Sequence, residues 1–220
     1  EAFRHKASDP RSLGDDAVLS LAEDTDGNLW VGTRNGLDRT GPGRDGFVHY
    51  RHDFLDPSSL SGDTINVVFQ DKSGTIWIGT NEGGVNRYLP NEDAFWAYRH
   101  EESNPASLSG DRILSIMEDN SGNLWFGTYG AGLSKYNKNI SKFRLYEKGR
   151  FSVANLNING FRKILKQGDN VIWAATDGAG LSRFGRRGCA RRLGFLAHVI
   201  ELVQVFGGSF SPSFCSITVL

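Results

Sequence analysis

An all-β fold built from repeated four-stranded units is predicted by three features of this 220-residue sequence. A segment of the form D-x-x-G-x-x-W-x-G starts at Asp24, Asp71 and Asp119, and a weaker version starts at Gly168. The motif tryptophans Trp30, Trp77, Trp125 and Trp173 are separated by 47, 48 and 48 residues. The repeats also lack the 3.6-residue periodicity of amphipathic helices. A fixed period of this length is typical of stacked supersecondary units.

Each unit begins with a loop and a first strand. The loops read DPRSLGDD from Asp9, DPSSLSGD from Asp56 and NPASLSGD from Asn104. Asp-Pro or Asn-Pro followed by Ser and Gly is typical of turns. In the next segment we expect Ile65, Val67 and Phe69 to share one face of a strand, with Val68 on the other. Apolar residues on both faces predict a strand that is covered on both sides.

Tight turns separate the remaining strands. The first turn has glycine at Gly27, Gly74 and Gly122, which can adopt the positive φ of a hairpin, and Asn170 takes that place in the fourth unit. The second strand places Trp77 and Gly79 on one face, so that a large side chain lies beside a missing one and layers can interdigitate. A third strand follows a glycine-rich turn, and an outer strand such as AFWAYRH completes the unit.

Four-stranded antiparallel units with a tryptophan and glycine signature predict the blades of a β-propeller. We place blade starts near residues 17, 64, 112 and 160 within a repeat region of 1–184, preceded by a partial outer strand at 3–6. Blade 4 is expected to end at Phe184 without an outer strand. We therefore expect an incomplete, open arc in which residues 3–6 do not pair with 181–184, so that Val18 and Leu21 are exposed.

Residues 185–220 break the repeat pattern. This segment contains both cysteines, four of the 25 basic residues and one of the 25 acidic residues, which leaves 21 basic and 24 acidic residues in the repeats. We interpret it as a non-repeat tail, either out of frame or disordered. The mildly acidic repeats lack the basic surface of a nucleic-acid-binding protein. No apolar run reaches the length of a membrane span, so we expect no membrane contact by this segment.

The stretch DPSSLSGDTINVVFQDKSGTIWIGTNEGGVNRY and its counterparts resemble the two-component regulator propeller repeat, from position 3 to about 184. Blade 4 departs from the pattern because Ala175 replaces the motif glycine. The resemblance implies a periplasmic or otherwise extracytoplasmic sensor region of a membrane-anchored bacterial signalling protein. It also implies a histidine kinase or diguanylate cyclase output domain elsewhere in the parent protein, which is expected to be a homodimer.

The sequence offers no convincing catalytic or metal site. His5, His52 and His100 occupy the same place in successive repeats, so they belong to the blade rather than to one active centre. The segment from Asp24 to Asn28 lacks the third acidic position and the distal glutamate of a calcium loop, which favours a hairpin turn. We therefore expect no enzyme activity, no metal and no cofactor. The series Arg87, Lys135 and Arg183 is interpreted as a solvated stripe on the third strands.

Residues that differ between repeats on one rim are candidates for ligand recognition. The turn between strands two and three varies from blade to blade and lies on one side of all sheets. Its candidate ligand-binding residues are Asn35, Asn81, Glu82, Tyr129 and Asp177. We expect this rim to bind a small ligand such as an oligosaccharide and to relay that event to the parent protein. The alternatives are a protein-interaction scaffold and a carbohydrate-active propeller enzyme.

Overall fold

A computed structural model describes residues 2–138, 142–146, 160–168, 171–177, 180–184 and 190–193. Its sixteen strands are β1 (Val18–Glu23), β2 (Leu29–Thr33), β3 (Gly36–Thr40), β4 (Val48–Tyr50), β5 (Ile65–Gln70), β6 (Ile76–Thr80), β7 (Val85–Leu89), β8 (Ala94–Tyr98), β9 (Ile113–Glu118), β10 (Leu124–Thr128), β11 (Leu133–Asn137), β12 (Lys142–Tyr146), β13 (Phe161–Gln167), β14 (Val171–Thr176), β15 (Leu181–Phe184) and β16 (Ala190–Leu193). No helix in the described ranges is long and apolar enough to cross a lipid bilayer.

The strands form four separate antiparallel sheets, each containing four consecutive strands in chain order. We call them blades 1 to 4. The first strands β1, β5, β9 and β13 contact one another in succession, so the blades are arranged side by side around their inner strands. The predicted fold is therefore confirmed: this is an incomplete β-propeller whose ring is not closed.

A β-bulge lies at the same place in the first strand of every blade. The register shifts between Val18 and Ser20 in blade 1, between Ile65 and Val67 in blade 2, and at the equivalent position in blades 3 and 4. The extra residue reverses the facing of the side chains beyond it. Ile65 therefore packs with Val68 against blade 1, whereas Val67 packs against blade 3. Our prediction that Ile65 and Val67 share a face was wrong for this reason.

Three of the four hydrophobic clusters among the described residues lie between blades, and the fourth, formed by Leu13, Val31 and Phe47, lies in blade 1 and its first loop. One cluster joins blades 1 and 2, a second joins blades 2 and 3, and a third joins blades 3 and 4. The glycine of the tryptophan motif permits this packing. A Cβ atom on Gly79 would lie 2.7 Å from Cγ2 of Ile113, the first residue of the next inner strand. Gly32 and Ile65 have the same relationship. The prediction that the motif glycine leaves space for a large side chain of the next layer is thus confirmed.

The two ends of the repeat region differ from the expected ends. Residues 3–6 form no strand, and none of the described strands pairs with them. The ring of Phe3 packs on Phe47, with ring centres 5.8 Å apart. At the other end, β16 pairs with β15 and gives blade 4 an outer strand beyond Phe184. An outer strand needs mainly backbone hydrogen bonds, so its sequence can lack the aromatic signature of the other blades. Asn170, Cys189, Cys215 and the segments 185–189 and 194–220 lie outside the described residues.

Candidate functional site

A carboxylate fixes the tryptophan in each of the first three blades. The indole nitrogens of Trp30, Trp77 and Trp125 donate hydrogen bonds of 2.8, 2.8 and 2.9 Å to the aspartates six residues earlier, Asp24, Asp71 and Asp119. The same aspartates accept backbone N–H groups of their own turns, and the turn glycines have φ near +80°. In blade 4, Gln167 replaces the aspartate and accepts the bond from Trp173 at 2.7 Å. The segment from Asp24 to Asn28 is therefore a hairpin anchor.

Two members of the predicted solvated stripe, Lys135 and Arg183, lie over tryptophan rings instead, and Arg39 does the same in blade 1. The interpretation of Arg87 as part of that stripe stays a prediction. The guanidinium of Arg39 lies 5.3 Å from the ring centre of Trp30, the ammonium of Lys135 lies 5.0 Å from Trp125, and the guanidinium of Arg183 lies 5.8 Å from Trp173. In blades 1, 3 and 4 the cation thus covers the tryptophan of its own blade, an arrangement that contributes about 0.5–2 kcal/mol depending on solvent exposure. Sequence order concealed this, because the two residues are paired across neighbouring strands.

The repeated histidines hold the loops between blades. Nδ1 of His52 lies 2.6 Å from the carbonyl oxygen of Leu60, and the backbone N–H of His52 donates to Asp63. His100 has the same bond to the carbonyl oxygen of Leu108 at 2.6 Å, and His5 has it to that of Leu13 at 2.9 Å. These contacts give the recurrent histidines a structural role in the blade.

A cavity of about 630 Å³ opens on the predicted recognition side of blade 2. It lies between the loop that precedes β5, the turn that follows β6, and the end of β8. The lining includes the predicted residues Asn81 and Glu82. The other lining residues are His52, Asp53, Phe54, Asp56, Pro57, Ser59, Leu60, Ser61, Gly62, Asp63, Thr64, Ala97 and Arg99. The guanidinium of Arg99 donates to the carbonyl oxygen of Ser61 at 3.0 Å, so the one arginine in this wall is held by the loop.

The other predicted recognition residues belong to the equivalent turns of other blades and do not line this cavity. Asn35 is exposed, and its backbone N–H donates to Thr33. Tyr129 is 44% exposed and stacks under the guanidinium of Arg112 at 4.2 Å. Asp177 forms an ion pair of 3.0 Å with Arg162. The structure thus brings together Asn81 and Glu82 only.

Phe54 and Leu55 are recognition candidates that the sequence analysis missed. Both side chains are 93% exposed at the tip of the loop beside the cavity. The tip is held by a bond of 2.9 Å from the N–H of Leu55 to Asp53. The signal was present in the repeats, because the equivalent dipeptides are Ala7-Ser8 in the first loop and Glu102-Ser103 in the third. This difference between the loops lies outside the turn residues from which the recognition candidates were chosen.

The fold and its bonded aspartate–tryptophan pairs define a repeat protein of the β-propeller class. The family model described as the two-component regulator propeller matches residues 12–35, 59–82 and 107–130. Three units of this chain are therefore similar to two-component regulator propeller repeats. A search of curated proteins found no match.

Solved propellers share the fold at low sequence identity. The extracellular domain of BT3049 from B. thetaiotaomicron, assigned to the hybrid two-component systems, is 23% identical with a TM-score of 0.77. The extracellular domain of BT4673 from the same organism is 24% identical with a TM-score of 0.70. The matches cover 87% and 83% of this chain but 26% of each of those chains. Virginiamycin B lyase from Staphylococcus aureus is 14% identical with a TM-score of 0.60, over 82% of this chain and 56% of the lyase. This chain thus spans about a quarter of the two extracellular domains.

Proposed function

We propose that this propeller segment is the extracytoplasmic, ligand-binding part of a bacterial signalling protein, and that the cavity on blade 2 binds a neutral oligosaccharide. The main observation that supports this proposal is the cavity itself. Its volume of about 630 Å³ falls in the range of about 300–1,000 Å³ that is typical of small-molecule sites. Amide, hydroxyl and carboxylate groups line its wall, and the apolar ring of Phe54 projects at its edge.

The charge of the wall supports a neutral ligand. Four carboxylates line the cavity, from Asp53, Asp56, Asp63 and Glu82, against the single guanidinium of Arg99. An anionic glycan would meet this negative wall unfavourably. The exposed ring of Phe54 offers an apolar surface on which the face of a sugar ring can pack.

We propose a binding role rather than catalysis for these carboxylates. Asp53 accepts the N–H of Leu55, and Asp63 accepts the N–H of His52. Hydrogen bonds from the hydroxyl and N–H of Ser58 hold the pKa of Asp56 below its usual value. A general acid needs the opposite, a raised pKa that keeps its proton near neutral pH. These groups therefore serve the loop and the ligand, and the carbohydrate-active enzyme is the weaker alternative.

A binding experiment with matched variants tests the proposal. The purified chain is titrated with neutral, uronic and sulfated oligosaccharides, followed by calorimetry. We expect neutral glycans to bind, and Phe54→Ala and Asn81→Ala to weaken binding by about tenfold each, since a lost anchor costs about 1–2 kcal/mol. Glu102→Ala changes the equivalent position in the third loop and should leave affinity unchanged. Equal loss in Glu102→Ala, or preferential binding of sulfated glycans, would contradict this site.

The exposed pair Phe54 and Leu55 favours a protein-interaction surface as the second candidate. Two apolar side chains that are 93% exposed on a held loop are also suited to a partner protein. In the full-length parent, which we propose to be a homodimer with a histidine kinase or diguanylate cyclase output, this alternative predicts a different result. Phe54→Ala would then disrupt complex formation in pull-down assays while glycan affinity stays unchanged.

A further inference from the structure

The cleft between blades 2 and 3 contains a bound ammonium group supplied by the chain itself. Nζ of Lys138, the residue after β11, lies 2.7 Å from Oδ2 of Asp71 and 3.1 Å from Oε1 of Glu118. Asp71 is the hairpin aspartate of blade 2, and Glu118 ends the first strand of blade 3. Burial acts to lower the pKa of Lys138, but the two carboxylates outweigh it and raise that pKa. The lysine therefore remains charged in the cleft.

The equivalent cleft between blades 1 and 2 lacks this lysine. By the repeat spacing, Asp24 corresponds to Asp71, Gln70 to Glu118, and Pro90 to Lys138. A cavity of about 350 Å³ opens here, and all three residues line it. Trp30 and Tyr88 contribute aromatic walls. The cavity lies beside the β1–β2 and β5–β6 turns, at the opposite end of the sheets from the cavity on blade 2.

Asp24 supplies a charge without a counterion at this cavity. It accepts hydrogen bonds from the indole of Trp30 and from Asn28, and these outweigh burial and keep its pKa below the usual value. Among the residues that the structure describes, Asp24 forms no ion pair, whereas Asp71 pairs with Lys138 and Asp119 lies 3.8 Å from Lys135. Neutral N–H donors satisfy the geometry of the carboxylate but leave its charge uncompensated.

Arg39 also lines the cavity, but its charge is already engaged. Its guanidinium donates to the hydroxyl of Tyr88 at 2.6 Å and lies 3.5 Å from the carboxylate of Asp93. It also stacks on Trp30. The charged residues that line the cavity are Asp24, Asp26 and Arg39, so its wall carries a net charge of −1, which favours a cationic occupant.

We propose that this cavity binds the primary ammonium group of an amine ligand, in the position that Lys138 occupies in the next cleft. The ammonium would lie against Asp24 and the amide oxygen of Gln70, with its alkyl stem along Trp30 and Tyr88. Diamines and amino sugars both present this group. The site is independent of the proposed oligosaccharide site, since the two cavities share no lining residue.

The direct test is a titration of the intact chain with n-butylammonium, followed by NMR. The indole N–H of Trp30 is bonded to Asp24, so its resonance reports locally on this cleft. We expect a saturable shift of this resonance, and at least about tenfold weaker binding of neutral n-butanol, because the charge interaction is missing. Equal binding of butanol, or no saturable shift, would overturn the proposal. A comparison of cadaverine with glucosamine then distinguishes a diamine from an amino sugar as the source of the ammonium.

Three variants make the test specific to the site. Pro90→Lys places the missing lysine in the cleft and should abolish butylammonium binding, while Gln70→Glu restores the second carboxylate and should tighten binding about tenfold. Lys138→Ala should create a second site, so that butylammonium shifts the indole resonance of Trp77 and raises the melting temperature of this variant. Undiminished binding in Pro90→Lys, or no effect of butylammonium on Lys138→Ala, would show that the two clefts are not equivalent.

Discussion

The indole nitrogen of Trp77 donates a 2.8 Å hydrogen bond to Oδ2 of Asp71, and both side chains are more than nine-tenths buried. The ring of Trp77 also packs against Phe126 and Tyr136 of the next blade, with centroids 6.0 and 5.7 Å away. This residue thus links the hairpin of its own blade to the core shared with its neighbour.

Replacing Trp77 should destabilise the fold strongly. Trp77→Ala removes a ring that is 2% exposed, and we expect a loss of about 3–5 kcal/mol in the free energy of unfolding, the range for large aromatic core truncations. Urea denaturation measures it. The matched control is Trp96→Ala, since Trp96 is 59% exposed and its loss should change stability by no more than about 0.5 kcal/mol. A loss under about 1 kcal/mol for Trp77→Ala would contradict a core position.

The glycine beside that tryptophan should tolerate no side chain. A Cβ on Gly79 would lie 2.6 Å from Cγ1 of Val67 and 2.7 Å from Cγ2 of Ile113, so Gly79→Ala should cost about 1–3 kcal/mol by overpacking. Gly41 is the control, because its nearest neighbour to such an atom is 3.9 Å away and it has no positive φ. In thermal unfolding, the melting temperature of Gly79→Ala should be clearly lower than that of Gly41→Ala. Similar melting temperatures would show that blades 2 and 3 are not packed this closely.

The repeat period was sufficient to predict the propeller fold, because four copies of one pattern restrict the chain to stacked equivalent units. The facing of Ile65 and Val67 could not be predicted in the same way, because simple alternation assumes a regular strand and the bulge breaks it. The outer strand β16 was missed because its pairing depends on backbone hydrogen bonds, which leave little trace in the side chains.

The recognition surface was predicted less completely than the fold. Asn81 and Glu82 line the cavity on blade 2, and their role in binding stays a prediction. Phe54 could have been found from its contrast with Ala7 and Glu102 in the other loops. The proposed amine site between blades 1 and 2 could not have been found from the sequence. It depends on Asp24 and Pro90, which are far apart in sequence and line one cavity only because two blades pack together.

Acid should weaken the junction of blades 2 and 3. Burial acts to raise the pKa of Asp71, but hydrogen bonds from Lys138, Ser73 and Trp77 outweigh it, so its folded pKa lies below the usual value of about 3.9. A carboxylate whose pKa is lower in the folded state stabilises the fold at pH values above its unfolded pKa. This stabilisation is lost as the pH falls through the folded pKa. We therefore expect the free energy of unfolding to decrease below about pH 4.

Lys138→Met tests which contact causes this pH dependence. It removes the ammonium that is the first of the groups lowering the pKa of Asp71, and it keeps an apolar stem of similar length. Urea unfolding at pH 7 and at about pH 3 should show a smaller difference for Lys138→Met than for the unmodified chain. An unchanged difference between the two pH values would show that other carboxylates dominate the acid sensitivity.

The open end of blade 1 should drive self-association. Leu21 is 63% exposed, whereas its counterparts Val68 and Ile116 are 6% and 7% exposed because a preceding blade covers them. Val18 of the same strand, the counterpart of the buried Ile65, is also 41% exposed, so β1 presents two uncovered apolar side chains at this end. At the other end of the arc, Leu165 is 67% exposed.

We expect sedimentation velocity to show concentration-dependent association, which Leu21→Asp should reduce. Trp96→Asp is the control, because Trp96 is 59% exposed on β8 of blade 2 rather than on β1. A chain that stays monomeric at all concentrations, or an equal effect of the two substitutions, would show that the uncovered blade face is not what associates.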